Sequence, residues 1–236
     1  MGTLKAILKE FDVNRSAALA NRINGCFQND EESENLIASC FLPIAKYVLN
    51  KGYFCIGDEY CIGLRAVELY YHEEGNGFFK DPIMYHTDAR TPESLTEHGF
   101  KYEYFKFGSF NLHTSGVDVT FEKENEYRAS FLIREFEVFK WVNGEKKPIV
   151  ADEKRSTFIF DYMFPYGISS ETLGQISWKE YESGQEAGTE DPMQSSRQGV
   201  CEYRKEGNIY EYDSQKRCYY KIDKTKCHRQ WRFRRK

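Results

Sequence analysis

Two patterns of apolar residues divide the chain. Over roughly the first fifty residues, apolar side chains recur at three- and four-residue spacing, which places them on one face of a helix. The positions concerned are Leu4, Ile7, Leu8 and Phe11, then Leu36, Ile37, Phe41, Ile44, Val48 and Leu49. We therefore predict that residues 1–50 are mainly helical. Pro43 predicts a kink or a helix boundary, because proline lacks the amide hydrogen that a helix interior uses.

Beyond Gly52 the pattern changes to short runs rich in Tyr, Phe, Ile and Val, separated by turn residues. The runs that predict strands are YFCIG, CIGLRAVELYY, YEYFKFGSFNLH, GVDVTFE, YRASFLIREFEVFKW and STFIFDYMF. Strands and helices do not alternate regularly, so a parallel sheet is not expected. The sequence predicts an α+β fold, a single domain of residues 1–236 in which a curved antiparallel sheet occupies a β-rich core at 51–165.

The last third of the chain is more polar. Residues 166–198 form an acidic polar segment, for which we expect surface structure or a partly mobile loop. Residues 199–236 combine alternating aromatic and charged positions, typical of a closing hairpin, with a basic tail. From Lys224 onward the tail contains seven Lys or Arg and no acid. Such a tail suits phosphate contact, and it equally suits a solvated terminus.

Composition narrows the class of protein. The 236 residues are 16% aromatic and 30% charged, and no apolar run is long enough to span a bilayer. The first residues do not resemble a secretory signal, so we expect a cytoplasmic protein. The net charge of −4 argues against binding nucleic acid through the whole surface but permits a local basic groove. Seven irregularly spaced cysteines include no zinc-type pair, which indicates reduced structural thiols and predicts no metal site.

One predicted strand, LRAVELYYHEE, has an ionisable face. Glu68, Tyr70 and His72 are two residues apart and therefore project from the same side, whereas their neighbours are largely apolar. An enzyme that acts on a DNA base must hold the extruded base between flat faces while a polar group activates water. This face supplies a carboxylate and aromatic rings, although a solvated strand face has the same composition.

Five segments of the chain resemble, in order, the core of the alkyladenine (3-methyladenine) DNA glycosylase family. They are IAKYVLNKGYF, GLRAVELYY, KDPIMYH, YEYFKFG and ASFLIREFEV, which together extend from about Ile44 to Val138. The resemblance implies that Glu68 is the catalytic residue that activates water. It further implies that Tyr70, His86 and Tyr104 form the walls of a base-binding pocket.

The same resemblance implies roles for five further residues. Phe107 occupies the place of the aromatic wedge that fills the gap left by the flipped nucleotide. Arg134 and Lys106 are expected to bind phosphate. Thr114 falls near the family's asparagine that screens the exocyclic group of the base, beside His113, a second candidate base contact. Asp118 and Glu122 are other ionisable candidates in this HTSGVDVTFE stretch, which departs from the family pattern. The stretch DARTPESLTEHG also departs, because it lacks the family's Pro-Arg-Asn segment.

The resemblance implies a monofunctional DNA glycosylase of base-excision repair. It would hydrolyse the N-glycosidic bond of alkylated or otherwise modified purines without a cofactor, metal or lysine Schiff base. Double-stranded DNA is the expected partner, and we expect a monomer that does not bind a membrane.

Several alternatives stay open. The family often shows Glu-x-Glu-x-Tyr, so Glu68 can also match the first, non-catalytic glutamate; Tyr70 would then replace the base and His72 the stacking tyrosine. That register favours a catalytically inactive nucleic-acid-binding module. A related hydrolase of another modified base or of a nucleoside is a second alternative. A structural interaction protein is the third, since aromatic residues more often pack than bind.

Overall fold

We describe a computed structural model of the chain. It describes residues 2–23, 30–57, 60–74, 79, 81, 84, 98–99, 103–165, 167–197, 203–205, 208–213, 218–222 and 229–236. The helices are α1 (Gly2–Ile23), α2 (Asp30–Asn50), α3 (Ile159–Met163) and α4 (Ser170–Gly174), with a 3-10 turn at Ser156–Phe158. The strands are β1 (Gly52–Ile56), β2 (Tyr60–Glu73), β3 (Ser109–His113), β4 (Gly116–Thr120), β5 (Tyr127–Val142), β6 (Glu145–Glu153), β7 (Ile176–Glu180), β8 (Met193–Ser195), β9 (Tyr203–Lys205), β10 (Asn208–Asp213), β11 (Cys218–Ile222) and β12 (Arg232–Arg234).

Nine of these strands form one curved antiparallel sheet, and the α+β prediction with N-terminal helices is confirmed. The strand order is β3-β4-β5-β2-β1-β7, with β6 on the free length of β5 and β12 between β2 and β8. The long strands β2 and β5 pair over almost their whole length and form the centre of the sheet. A separate three-stranded sheet contains β11, β10 and β9, in agreement with the predicted closing hairpin.

The two N-terminal helices cover one face of the sheet. Phe11 of α1 stacks on Phe41 of α2, with ring centroids 5.0 Å apart, and meets Tyr71 and Phe121 edge to face. All four side chains are almost wholly buried, and burial of large aromatic surfaces is the main favourable term in folding. Pro43 lies inside α2, and the helix continues past it, so of the two predicted alternatives, a kink or a helix boundary, the boundary is wrong.

In the central strands β2 and β5, the apolar positions change from odd to even numbers, or the reverse, partway along the strand. A group of polar residues lies at this place on the face opposite the helices. In β5 the residues of the helix-covered core are 129, 131 and 133, then 136 and 138. In β2 they are 62 and 64, then 67, 69 and 71. The pairing register shifts where the parity changes, which leaves Arg65 and Arg134 as extra residues in β-bulges. The apolar side of the sheet is preserved, and polar residues accumulate on the other side.

Three sequence predictions need correction. Residues 156–164, predicted as a strand, form the 3-10 turn and α3, because the buried Ile159 and Met163 are one helical turn apart. The predicted strand at 102–113 begins only at Ser109, and residues 103–106 have no regular structure. Part of the acidic segment 166–198 joins the main sheet, since β7 pairs with β1 and buries Ile176 and Trp178.

The basic tail is part of the fold. Arg232 and Arg234 belong to β12, and both approach Glu135. Arg229 pairs with Glu34, and Arg235 with Glu137. These arginines therefore neutralise carboxylates of the sheet and helices, which limits what they can offer to phosphate. None of the described helices is long and apolar enough to cross a membrane.

Candidate active site

The candidate site lies at the middle of the sheet, on the face opposite α1 and α2. Glu68 of β2 is 0% exposed, although its neighbours Val67 and Leu69 point into the core on the other face. The hydroxyl of Tyr70 donates a hydrogen bond to Glu68 Oε2 over 3.0 Å. Strand alternation explains why residues 68 and 70 share a side, as the sequence predicts.

Arg134 completes this contact from the neighbouring strand. Its Nη2 lies 2.6 Å from Glu68 Oε2, and its side chain is 16% exposed. The β5 bulge gives Arg134 this position, since it is the extra residue between Ile133 and Glu135. The sequence predicts Glu68 as the base and Arg134 as a phosphate ligand, and the structure joins the two side chains in one ion pair. Together with the Tyr70 hydroxyl, which binds the same carboxylate, we call them the Glu68–Tyr70–Arg134 cluster.

Burial and charge set the protonation of the cluster. Burial raises the pKa of the Tyr70 hydroxyl well above its ordinary value, and the negative charge of Glu68 raises it further. Burial by itself lowers the pKa of Arg134, but Tyr70 and Glu68 outweigh this effect and raise it. Arg134 is therefore a permanent cation, and Tyr70 remains a neutral hydrogen-bond donor at physiological pH.

A second buried ion pair covers the ring of Tyr70. Arg197 contacts both carboxylate oxygens of Asp81, at 2.6 and 3.2 Å, and both side chains are fully buried. The Arg197 guanidinium carbon is 4.8 Å from the centre of the Tyr70 ring. Burial acts to lower the pKa of Arg197, whereas Asp81 raises it, with a net increase. A planar cation thus already lies against the ring that is predicted to bind a base.

Tyr104 lies in a different group, around Arg128. The Arg128 guanidinium carbon is 4.1 Å from the centre of the Tyr104 ring, and the same guanidinium reaches Glu74 and Glu122. Glu122 also accepts a hydrogen bond from the Phe105 backbone amide. Arg128 is cross-strand to His72, two pairs along from Tyr70 and on the same side of the sheet, so this group borders the Glu68–Tyr70–Arg134 cluster.

The predicted DNA contacts Lys106 and Phe107 occupy the loop before β3. The Lys106 side chain is exposed, which leaves its charge available to phosphate. Phe107 is half-buried and packs against the main hydrophobic core, at a tight turn that continues to Gly108. Phe107 therefore precedes the β3–β4 hairpin, and the tip of that hairpin is the turn at residues 114–115.

That hairpin contains the other two candidate base contacts. Thr114 is exposed in the turn. His113 turns inward: its Nδ1 accepts a hydrogen bond from the Ser115 amide, and its Nε2 lies 3.2 Å from Asp118 Oδ2. Asp118 is 3% exposed and lies on the same side of the sheet as Glu68, with Leu132 of β5 between them. His86 lies outside the described residues.

His72, the stacking residue of the alternative register, has a structural partner. Its Nδ1 accepts a hydrogen bond from the backbone amide of Asp81, over 3.1 Å. It therefore anchors the segment that supplies the Arg197 ion pair. Glu68 and Arg134, to which the resemblance gives the separate roles of base and phosphate contact, are in contact with each other.

Asp81 lies in the KDPIMYH segment, but sequence reasoning missed its ion pair with Arg197, which belongs to no recognised motif and is 116 positions away. It also missed the arginines of β12, of which Arg232 is cross-strand to Glu68. The parity change in β2 and β5 was a readable signal for the bulges beside the site. Within the part of the chain that the structure describes, no group of three or more His, Cys, Asp or Glu side chains is arranged to hold a metal ion.

Fold and site together define an α+β protein with a buried carboxylate–tyrosine–arginine cluster on the outer face of its main sheet. Comparison with known proteins finds no matching family model, no matching curated protein and no matching solved structure.

Proposed function

We propose that the protein is a DNA glycosylase that hydrolyses the N-glycosidic bond of a modified purine after the base has been extruded from the duplex. The observation that carries the proposal is the contact of Glu68 with Arg134 and Tyr70. The sequence resemblance assigns all three residues to one site from segments about sixty positions apart. Their convergence on a single buried carboxylate oxygen supports that assignment.

The chemistry needs a carboxylate that stays ionised. When the bond between the purine and C1′ of the sugar breaks, its electron pair leaves with the base and positive charge develops on the sugar. Glu68 would stabilise this charge and orient a water molecule toward C1′, accepting the proton that the water loses. Arg134 and the Tyr70 hydroxyl both contact this carboxylate, which would otherwise be costly to bury.

Tyr70 would supply the flat face for the base. Its ring carries the planar guanidinium of Arg197 at stacking distance, so the environment of this ring suits a flat cation. An alkylated purine is such a cation and is also a good leaving group. Binding of the base would then require Arg197 to move from the ring.

Affinity for DNA would come from a small surface. Lys106 is exposed beside the loop that leads to β3, and Arg134 is partly exposed. The four C-terminal arginines are paired with carboxylates, and the net charge is −4. We therefore expect few phosphate contacts and modest non-specific binding.

One observation favours a second candidate, the nucleic-acid-binding module without chemistry. Glu68 is 0% exposed, and an ion pair with Arg134 is what a purely structural carboxylate would also form. The two functions differ in what Glu68 does: the enzyme needs its carboxylate for the reaction, and the module needs it only for folding.

The test is single-turnover release of 3-methyladenine and hypoxanthine from duplex DNA by the intact protein, Glu68→Gln and Glu145→Gln. Glu145 is a matched control because its side chain is 72% exposed on β6. We expect Glu68→Gln to lower release about a hundredfold or more while DNA affinity is retained, and Glu145→Gln to behave like the intact protein. Salt-sensitive DNA binding without release in any form of the protein would favour the module, and absence of both would overturn the DNA proposal.

A further inference from the structure

Among the residues that the structure describes, none satisfies one carboxylate oxygen of Asp118. The side chain is only 5% exposed, and Oδ1 has no hydrogen-bond partner within the described residues. Its other oxygen, Oδ2, lies 3.2 Å from His113 Nε2. The Ser115 amide donates to Nδ1 of this histidine, which places the ring hydrogen on Nε2, facing Asp118. Such buried acceptors are rare in folded proteins and mark places where a ligand or a solvent molecule binds.

The register of the sheet places Asp118 opposite Glu68. Asp118 of β4 pairs with Leu132 of β5, and Leu132 pairs with Glu68 of β2. Neighbouring strands lie about 4.8 Å apart, so the two carboxylates are separated by roughly 10 Å across the apolar side chain of Leu132. Glu68, Leu132 and Asp118 thus form a short cross-strand row, with a carboxylate at each end and an apolar side chain between them.

Two further observations place Asp118 in the same environment as the Glu68–Tyr70–Arg134 cluster. Burial and Glu68 raise the pKa of Tyr70, and Arg134 and Arg197 lower it. The negative charge of Asp118 is close enough to raise it as well. Ser130 pairs with Tyr70 on β2, and its hydroxyl is buried and has no hydrogen-bond partner among the described residues. Unsatisfied polar atoms therefore occur both at Asp118 and on the adjacent row of Tyr70 and Ser130, which border the place where the proposed base would lie.

We propose that Asp118 reads the edge of the extruded base by accepting a hydrogen bond from an exocyclic amino group. This inference rests on the proposed function and names its substrate class: amino-bearing, adenine-type purines. Leu132 is 1% exposed, so a base that packs on it would enter as Arg197 moves from Tyr70. With the glycosidic bond at Glu68, the 6-position of the purine would then face Asp118, whose carboxylate accepts from a 6-amino group and repels the 6-carbonyl of hypoxanthine. His113 holds the carboxylate by its other oxygen and acts as a positioning residue.

The test uses free adenine and free hypoxanthine, which share a ring system and differ at this exocyclic group. Their binding to the intact protein, Asp118→Asn and Asp161→Asn is followed by nuclear magnetic resonance titration. Asp161 is the matched control, because it is exposed on α3. We expect the intact protein and Asp161→Asn to bind adenine at least about tenfold more tightly than they bind hypoxanthine. Asp118→Asn should lose this preference, since its amide can donate to the carbonyl.

A second arm separates the failure of this inference from the failure of the proposed function. The ratio of 3-methyladenine to hypoxanthine release is measured for the same proteins, and Asp118→Asn should lower it about tenfold or more. Adenine selectivity that depends on Asp118, without any base release, overturns the glycosylase and supports the base-reading role. Release with an unchanged ratio in a folded Asp118→Asn overturns the base-reading role alone. Equal binding of the two bases by the intact protein also overturns it, and this result does not depend on whether any variant folds.

Discussion

Charged side chains on the outer face of the sheet are buried in pairs, and Arg197 with Asp81 is the most enclosed of those described. Removing one member of a buried pair is costly because it leaves the other charge without its counter-ion in a poorly solvated place. Arg197 also lies over Tyr70 and near Trp231, so its loss removes packing as well as charge. At the scale of single residues, we therefore expect substitution of one member of a buried ion pair to lower the free energy of unfolding more than substitution of both members.

Arg197→Met should lower the free energy of unfolding by about 3–5 kcal/mol, because Asp81 then remains buried without its main counter-ion. The double variant Arg197→Met with Asp81→Asn should regain a large part of this loss. Urea unfolding of both variants measures the difference. Lys140→Met is the control, because Lys140 is exposed on β5, and it should leave the unfolding midpoint nearly unchanged. A double variant no more stable than the single one would contradict the role given to this pair.

Helix α1 shows how the elements enclose the other face. Arg15 lies over the ring of Tyr127, with 4.3 Å between the guanidinium carbon and the ring centre, and its Nη1 is 3.4 Å from the Tyr71 hydroxyl. Tyr71 of β2 and Tyr127 of β5 are both fully buried beneath the helix. Burial raises the pKa of both hydroxyls above the ordinary value of about 10, so the fold binds their protons more tightly than the unfolded chain does.

This arrangement predicts alkaline unfolding. Below about pH 10 both tyrosines are protonated in the folded and the unfolded chain, so the free energy of unfolding does not depend on their titration. Above about pH 10 the tyrosines of the unfolded chain ionise first, and the free energy of unfolding therefore falls as pH rises. Ultraviolet titration of the seventeen tyrosines should show a group that ionises only when near-ultraviolet circular dichroism is lost. Tyr71→Phe should move that transition to higher pH. Ionisation of every tyrosine near pH 10 in a folded protein would contradict the prediction.

The elements also show what the sequence could predict. Helical spacing in the first fifty residues and the period-two runs of β2, β4 and β5 reflect apolar side chains gathered on one face, which a local pattern records; the polar side chains between them are mostly buried on the other face. The segment at 156–164 misled because short apolar runs fit a helix as well as a strand. The tail at 229–236 misled because its arginines find their carboxylate partners only after long-range pairing of β12 with β2.

The site was predictable to a similar degree. Glu68 and Tyr70 follow from strand alternation, and their contact with Arg134 agrees with the order of the segments that resemble the glycosylase family. Thr114 is exposed, and Asp118 takes the inward position on the same hairpin, because the turn at 114–115 sets the register of β4. The ion pair between Asp81 and Arg197 could not be predicted, since a contact between residues 116 positions apart leaves no periodic pattern in the sequence.

At the scale of the whole molecule, the net charge is negative and the C-terminal arginines are paired with carboxylates, so the proposed chemistry depends on the outer face around Glu68. The glycosylase proposal requires the Glu68 carboxylate to stabilise positive charge on a sugar, whereas the binding module does not. This property can be measured without knowing which base the protein accepts.

The most direct measurement compares the affinity for duplex DNA that contains a cationic pyrrolidine in place of one sugar with that for DNA containing the neutral tetrahydrofuran analogue. The pyrrolidine mimics the charge of the transition state, so the intact protein should bind it about a hundredfold more tightly or better. Glu68→Gln should lose that difference while keeping its affinity for the neutral duplex. Equal affinity of the intact protein for the two duplexes would contradict the assignment of Glu68 as the residue that stabilises the developing charge.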